Sequence, residues 1–135
     1  MDFLEQFVTL TVATVKADRE MSQKEIDTIV LLAEGLKLDT EAVAKAIKTK
    51  MYQHDSAEAI ARSVAAENKL VIMQACILVA LADNKLKMKE VEFLNKINAA
   101  FGLPQAAFVL AIASVCQNNP QIEIEGNETN SGKKD

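Results

Sequence analysis

The apolar positions of this chain fall into helical registers separated by short polar breaks. Phe3, Leu4, Phe7, Val8, Thr11, Val12 and Val15 recur at i, i+3, i+4 spacing, which predicts an N-terminal helix with one buried stripe. A break follows at residues 18–21. Ser22, with Glu25 three residues on, has the form of a capping box, in which hydroxyl and carboxylate each satisfy a free backbone N–H. The helix it opens turns Ile26, Ile29, Val30 and Ala33 inward and runs to Gly35. Asp39 or Thr40 caps a third, through Val43, Ala46, Ile47 and Met51. Asp55-Ser56-Ala57-Glu58 starts a fourth, through Ile60, Ala61, Val64 and Ala65. The most apolar run, residues 70–82, predicts a core helix. Another follows through Val91, Leu94, Ile97 and Phe101, and Pro104 suits the first turn of a last helix through Phe108, Ala111, Ile112 and Val115.

Two of the breaks share one signature. Ala17-Asp18-Arg19-Glu20-Met21-Ser22-Gln23-Lys24-Glu25 returns as Ala82-Asp83-Asn84-Lys85-Leu86-Lys87-Met88-Lys89-Glu90, with 83 − 18 = 65 and 90 − 25 = 65. Beyond it the register holds, with Ile26 against Val91, Ile29 against Leu94 and Leu38 against Leu103. Repetition of this kind sets an architecture before any single residue is interpreted. The expectation is an all-α bundle of about seven helices over residues 1–117, its halves (about 3–52 and 68–117) related by a rotation near a half-turn. From Asn118 the composition turns to Asn, Glu, Gly, Ser and Lys, and residues 118–135 read as a disordered polar tail. Residues 121–125 alternate as a strand would, with no evident segment to pair with.

Composition agrees. Half the residues are hydrophobic, but there is no Trp, one Tyr, four Gly and two Pro, a balance that suits helices rather than a sandwich or barrel. Net charge of −4 disfavours a nucleic-acid partner, since phosphate binding needs a basic face. The run 70–82 reaches only about 20 Å as a helix against ~30 Å of hydrocarbon, so no membrane span is expected. Met1-Asp2-Phe3-Leu4-Glu5 lacks the basic start of a secretory leader, and a cytoplasmic location follows as the expectation. Cys76 and Cys116 sit in apolar helical surroundings without metal-ligand spacing and read as buried free thiols. The lone His54 sits at a helix junction and reads as a solvent-facing linker residue. Nucleophile motifs, phosphate loops and paired-cysteine zinc spacing are all missing.

The doubled pattern, an apolar helix and then Ala-Asp-x-x-apolar-x-x-Lys-Glu, resembles the TerB-like family over roughly residues 3–116. That family is named for a bacterial tellurite-resistance protein and includes N-terminal regions of some DnaJ-type co-chaperones. Its pattern usually has Gly after the Asp and Ser or Thr before the final helix. This chain has Arg19 and Asn84 after the two aspartates, keeps Ser22, and has Lys87 at the second cap. The resemblance implies a helical bundle in the cytoplasm, in some members at the inner membrane face with partners. It also implies a divalent-cation role for the loop acids and attaches no firm catalytic activity.

Two readings of those acids stand side by side. Asp18 with Glu25, and Asp83 with Glu90, are candidate oxygen ligands for a hard cation such as Ca²⁺ or Mg²⁺, with Glu20 a further acid in the first loop. The spacing is not that of an EF-hand. Alternatively the acids serve only the helix starts, complementing orphan N–H groups and the positive end of the dipole, with Lys24 and Lys89 beside them. Function follows in three classes. The first is a non-enzymatic module that recruits a protein partner and is gated by a divalent cation. The second is a hydrolase using a carboxylate-bound metal, which would need a dry cleft and an open coordination position. The third is a structural or stress-response subunit with no small-molecule site. The sequence leaves the partner and the oligomeric state open.

Overall fold

The first helix, α1 (Phe3–Lys16), is the one around which the others assemble in the computed structural model, which describes residues 1–17 and 22–124. It is followed by α2 (Gln23–Gly35), α3 (Thr40–Met51), α4 (Ala57–Ser63), α5 (Ala66–Ala80), α6 (Met88–Ala100) and α7 (Gln105–Asn118). Two short strands, β1 (Lys85–Leu86) and β2 (Glu123–Ile124), pair in parallel, with Lys85 opposite Glu123 and Leu86 opposite Ile124. The molecule is therefore an all-α bundle of seven helices among the described residues, as the periodicity predicts.

The local starts and stops repeat with the offset found in the sequence. α2 and α6 begin at 23 and 88, and α3 and α7 at 40 and 105; 88 − 23 = 65 and 105 − 40 = 65. The ends match too. Lys37 and Gly102 both take positive φ, 61° and 75°, and 102 − 37 = 65. In each copy the next amide closes the helix, Leu38 N–H onto the Ala33 carbonyl at 2.9 Å and Leu103 N–H onto Asn98 at 3.1 Å. These are left-handed C-terminal closures. Glycine adopts that conformation freely in the second copy, whereas Lys37 is strained in the first.

Two buried clusters fill the interior. One gathers Phe7, Val8, Val12 and Val15 of α1 with Ile29, Ala33, Val43 and Ile47 of α2 and α3, and takes in Ala75 and Val79 of α5. The other gathers Leu10 of α1 with Ala61, Ile72, Met73, Cys76, Leu94, Ile97, Phe101 and Phe108 from α4 to α7. α1 and α5 each serve both clusters, so the core crosses the midpoint of the repeat.

Three expectations change. α1 has more than a single buried stripe, since Gln6, Thr9 and Thr14 are buried along with Thr11 and the apolar residues of the expected stripe. Thr11 and Thr14 can be, because each donates its hydroxyl to a carbonyl four residues back, Phe7 at 2.7 Å and Leu10 at 2.9 Å. α5 starts at Ala66, four residues before the apolar run, and α4 stops at Ser63. The alternating segment after α7 does find a partner: Ile122 packs on the second cluster and Glu123 N–H donates to the Asn84 carbonyl at 2.8 Å. The rest of the expected tail, residues 125–135, lies outside the described residues.

Candidate functional site

Each copy of the signature places its glutamate in the first turn of a helix and buries it. Glu25 of α2 is 2% exposed and Glu90 of α6 is 1% exposed. Ser22 caps α2: its hydroxyl accepts the Glu25 N–H at 3.2 Å, and Glu25 Oε1 accepts the Ser22 N–H at 3.0 Å and the Ser22 hydroxyl at 3.1 Å. This is the reciprocal box that the spacing predicts. In the second copy Glu90 Oε1 accepts the Lys87 N–H at 3.2 Å. A lysine ammonium has no lone pair to return the bond, so the serine half of the box has no counterpart there.

Asp83 does different work from the glutamates. It is half-buried, and its Oδ1 accepts the Lys85 N–H at 3.1 Å. Two residues of reach make this an Asx turn, and Asn84 inside it takes φ 64°, a left-handed conformation that Asn tolerates. The turn delivers the chain into β1, and β2 fastens it from outside. Sequence reasoning missed this brace; its one signal was the alternation at residues 121–125.

Asp18 and Glu20 lie outside the described residues. The residue before them, Ala17, lines a cavity of about 250 Å³ with Lys89, Glu92, Phe93 and Lys96 of α6. The end of α1 therefore abuts the first three turns of α6, on the helix that Glu90 begins. Among the described residues no three His, Cys, Asp or Glu side chains form a group able to hold a metal ion.

A second polar cluster, unread in the sequence, ties α1 to the end of α3. Lys50 is 9% exposed and reaches Asp55 at 3.2 Å and Glu5 at 3.8 Å. Lys16 Nζ donates to the carbonyls of Lys50 and Gln53, at 3.3 and 2.7 Å, where a cation complements the helix C-terminus. It is a structural clasp. His54 is exposed beside it, as expected. Of the two cysteines, Cys76 is buried and Cys116 only partly so. Burial pushes the Cys76 thiol up to about 12 against a smaller lowering by its bond with Thr14, and burial raises Cys116 as well. Burial thus disfavours the thiolate at both positions.

No helix of the described residues is long and apolar enough to cross a membrane. Compared with known proteins, residues 4–113 match the family model of the tellurite resistance protein TerB. No curated protein and no solved structure matches the chain.

Proposed function

This chain belongs to the TerB family, and from that footing we propose that it is a non-enzymatic helical binding module. In this reading it recruits a protein partner, and a weakly held divalent cation at the two acidic loops conditions that recruitment. The observation that carries it is the burial of Glu25 and Glu90 at matching positions of the repeat. A helix start on the surface is served well by an exposed acid or a serine. Each is held there by its helix start, Glu25 accepting the Ser22 N–H and Glu90 the Lys87 N–H, so both carboxylates are fixed beside their loops. Asp83, fixed by its Asx turn, and Asp18, next to Ala17, supply the remaining oxygen donors. Ca²⁺ and Mg²⁺ are the ions suited to an all-oxygen set, and with two short loops and no dedicated cage the affinity is weak.

Thermal melts with and without Ca²⁺ or Mg²⁺ test this. Wild-type protein should melt higher at millimolar cation, because the folded chain alone offers the site. Asp18→Asn with Asp83→Asn should abolish the shift while helicity is kept, since Asn still caps and still makes the Asx turn. Equal melts of the wild type with and without cation, together with no heat in calorimetry, would remove the cation from the reading and leave partner binding alone.

A further inference from the structure

The two copies of the repeat part company after their last helix. In the first, α3 is followed by a linker and then α4, which packs on α1 and α6. In the second, the position matching Glu58 of α4 is Glu123 of β2, with 123 − 58 = 65, and the chain there is extended. The change begins at the end of α7. The Asn119 side-chain amide donates to the Val115 carbonyl at 2.8 Å, and the Asn119 N–H to Cys116 at 3.2 Å. Pro120 cannot continue the helix, and the Ile122 N–H returns to the Asn119 carbonyl at 3.0 Å, a tight turn with proline at its second position. Residues 119–124 are thus a hook, with a stiff bend and an extended end that reaches the Asp83 loop.

The hook's hold on the body is small. Ile122 packs on the second cluster while only partly buried, the Glu123 N–H donates to the Asn84 carbonyl at 2.8 Å, and the strand pair is two residues long. Contacts of this extent lie at the low end of local stability and open while the helices stay formed. What the hook grips is the unusual residue of the loop. Asn84 has φ 64°, a minority conformation outside glycine that persists where its surroundings fix it. From within the loop it is fixed by its own N–H on the Leu81 carbonyl at 2.9 Å and by the Lys85 N–H on Asp83 Oδ1 at 3.1 Å. From outside it is fixed by the hook. Leu81 and Leu86 are both buried, so the loop is pinned at either end and its freedom is confined to the residues between.

We propose that residues 119–124 are a latch that sets the conformation of the Asp83 loop. Seated, the latch holds Asn84 left-handed and keeps Asp83 in its turn. Lifted, it lets residues 83–85 leave that turn while α5 and α6 stay folded. The coupling runs both ways, because it is a difference in free energy between two states of one contact. Whatever holds residues 83–85 in the turn tightens the latch, and whatever captures the C-terminal segment in extended form releases the loop. The device belongs to the second copy, since the matching segment of the first is helical and supplies no such strand. It is built from backbone bonds and Ile122, and so does not depend on a cation at the acidic loops.

Amide hydrogen exchange of the full chain, followed residue by residue by NMR in the presence of a chelator, tests the latch with any cation removed. In the wild type the amides of Asn84, Lys85 and Glu123 should exchange at a common rate, well ahead of Ile72 in α5 and Leu94 in α6. Glu123→Pro deletes the N–H that the Asn84 carbonyl accepts, at an exposed position where the core is untouched. Ile122→Ser removes the apolar anchor instead. Each should speed exchange at Asn84 and Lys85 by about tenfold, the scale of one backbone bond, and leave Ile72 and Leu94 unchanged. In Glu123→Pro the Asn84 backbone shifts should also move off their left-handed values. Unaltered exchange at Asn84 and Lys85 in both variants would overturn the proposal, because the loop would then hold itself. Equal acceleration at Ile72 and Leu94 in Glu123→Pro would overturn it too, by making residues 119–124 part of the global folding unit.

Discussion

Thr14 shows where residue-level reading of the chain ran short. Its hydroxyl is spent on the Leu10 carbonyl of its own helix, so it sits fully buried in a helix whose polar positions suggested a solvent side, whereas Thr11 lies buried in the stripe as expected. Where the side chain is purely apolar the sequence was a good guide. Leu94 and Ile97, assigned inward by spacing, are both fully buried. Leu94→Ala should therefore destabilise by ~2–5 kcal/mol, through lost burial and the cavity left behind, and a denaturant melt would read it. A change within error would place Leu94 outside the working core. Cys76 gives a prediction in pH. Its thiol is held up to about 12, so the folded chain keeps a proton that the unfolded chain gives up in the alkaline range. That contribution is fully present below the unfolded thiol's pKa of about 8.5 and is lost as pH rises toward the folded value, at up to ~1.4 kcal/mol per pH unit. Cys76→Ala should be less stable at neutral pH yet show a flatter decline between pH 9 and 11. Parallel declines would assign the alkaline loss to other groups.

Among the elements, boundaries with a chemical marker were legible and unmarked ones were not. Ser22, Asp39 and Ser56 each cap a helix through the side-chain oxygen, and those helices begin as expected. α5 begins at Ala66 behind Ala65, which makes no side-chain cap bond, and nothing in the local sequence announces it. The candidate site divides the same way. The capping box on α2 was visible in the serine–glutamate spacing, whereas β1 and β2 pair across 38 residues, and the alternation at residues 121–125 gave no sign of the partner it would find. That strand pair predicts how the C-terminus can be cut. Removing residues 126–135 should leave the melting temperature unchanged, because so polar a sequence has no core face to bury. Removing residues 119–135 strips Ile122 from the second cluster and unpairs Asn84 and β1. That cut should cost ~1–2 kcal/mol, the scale for a partly buried aliphatic side chain with one backbone bond. Equal melts for the two truncations would show that the brace contributes nothing to stability.

At the scale of the whole molecule, a duplicated sequence suggests two units that could part at the linker around residues 52–56, yet the core does not divide there. α1 belongs to the first half but sends Leu10 into the cluster built by α4 to α7. α5 belongs to the second half but sends Ala75 and Val79 into the cluster built by α1 to α3. Each half thus completes the other's core, and α1, buried on nearly all sides, would expose Leu10 on its own. The expected outcome is one cooperative transition. Leu94→Ala in the second cluster and Val43→Ala in the first should shift the same denaturant midpoint, whether followed by helicity or by reactivity of Cys76. A fragment of residues 1–55 should lack stable helix, since it carries α1 to α3 without the α5 residues that close their cluster. Two resolved transitions, or a fragment that melts cooperatively, would mean that the halves are autonomous and that the shared helices α1 and α5 do not bind them into one folding unit.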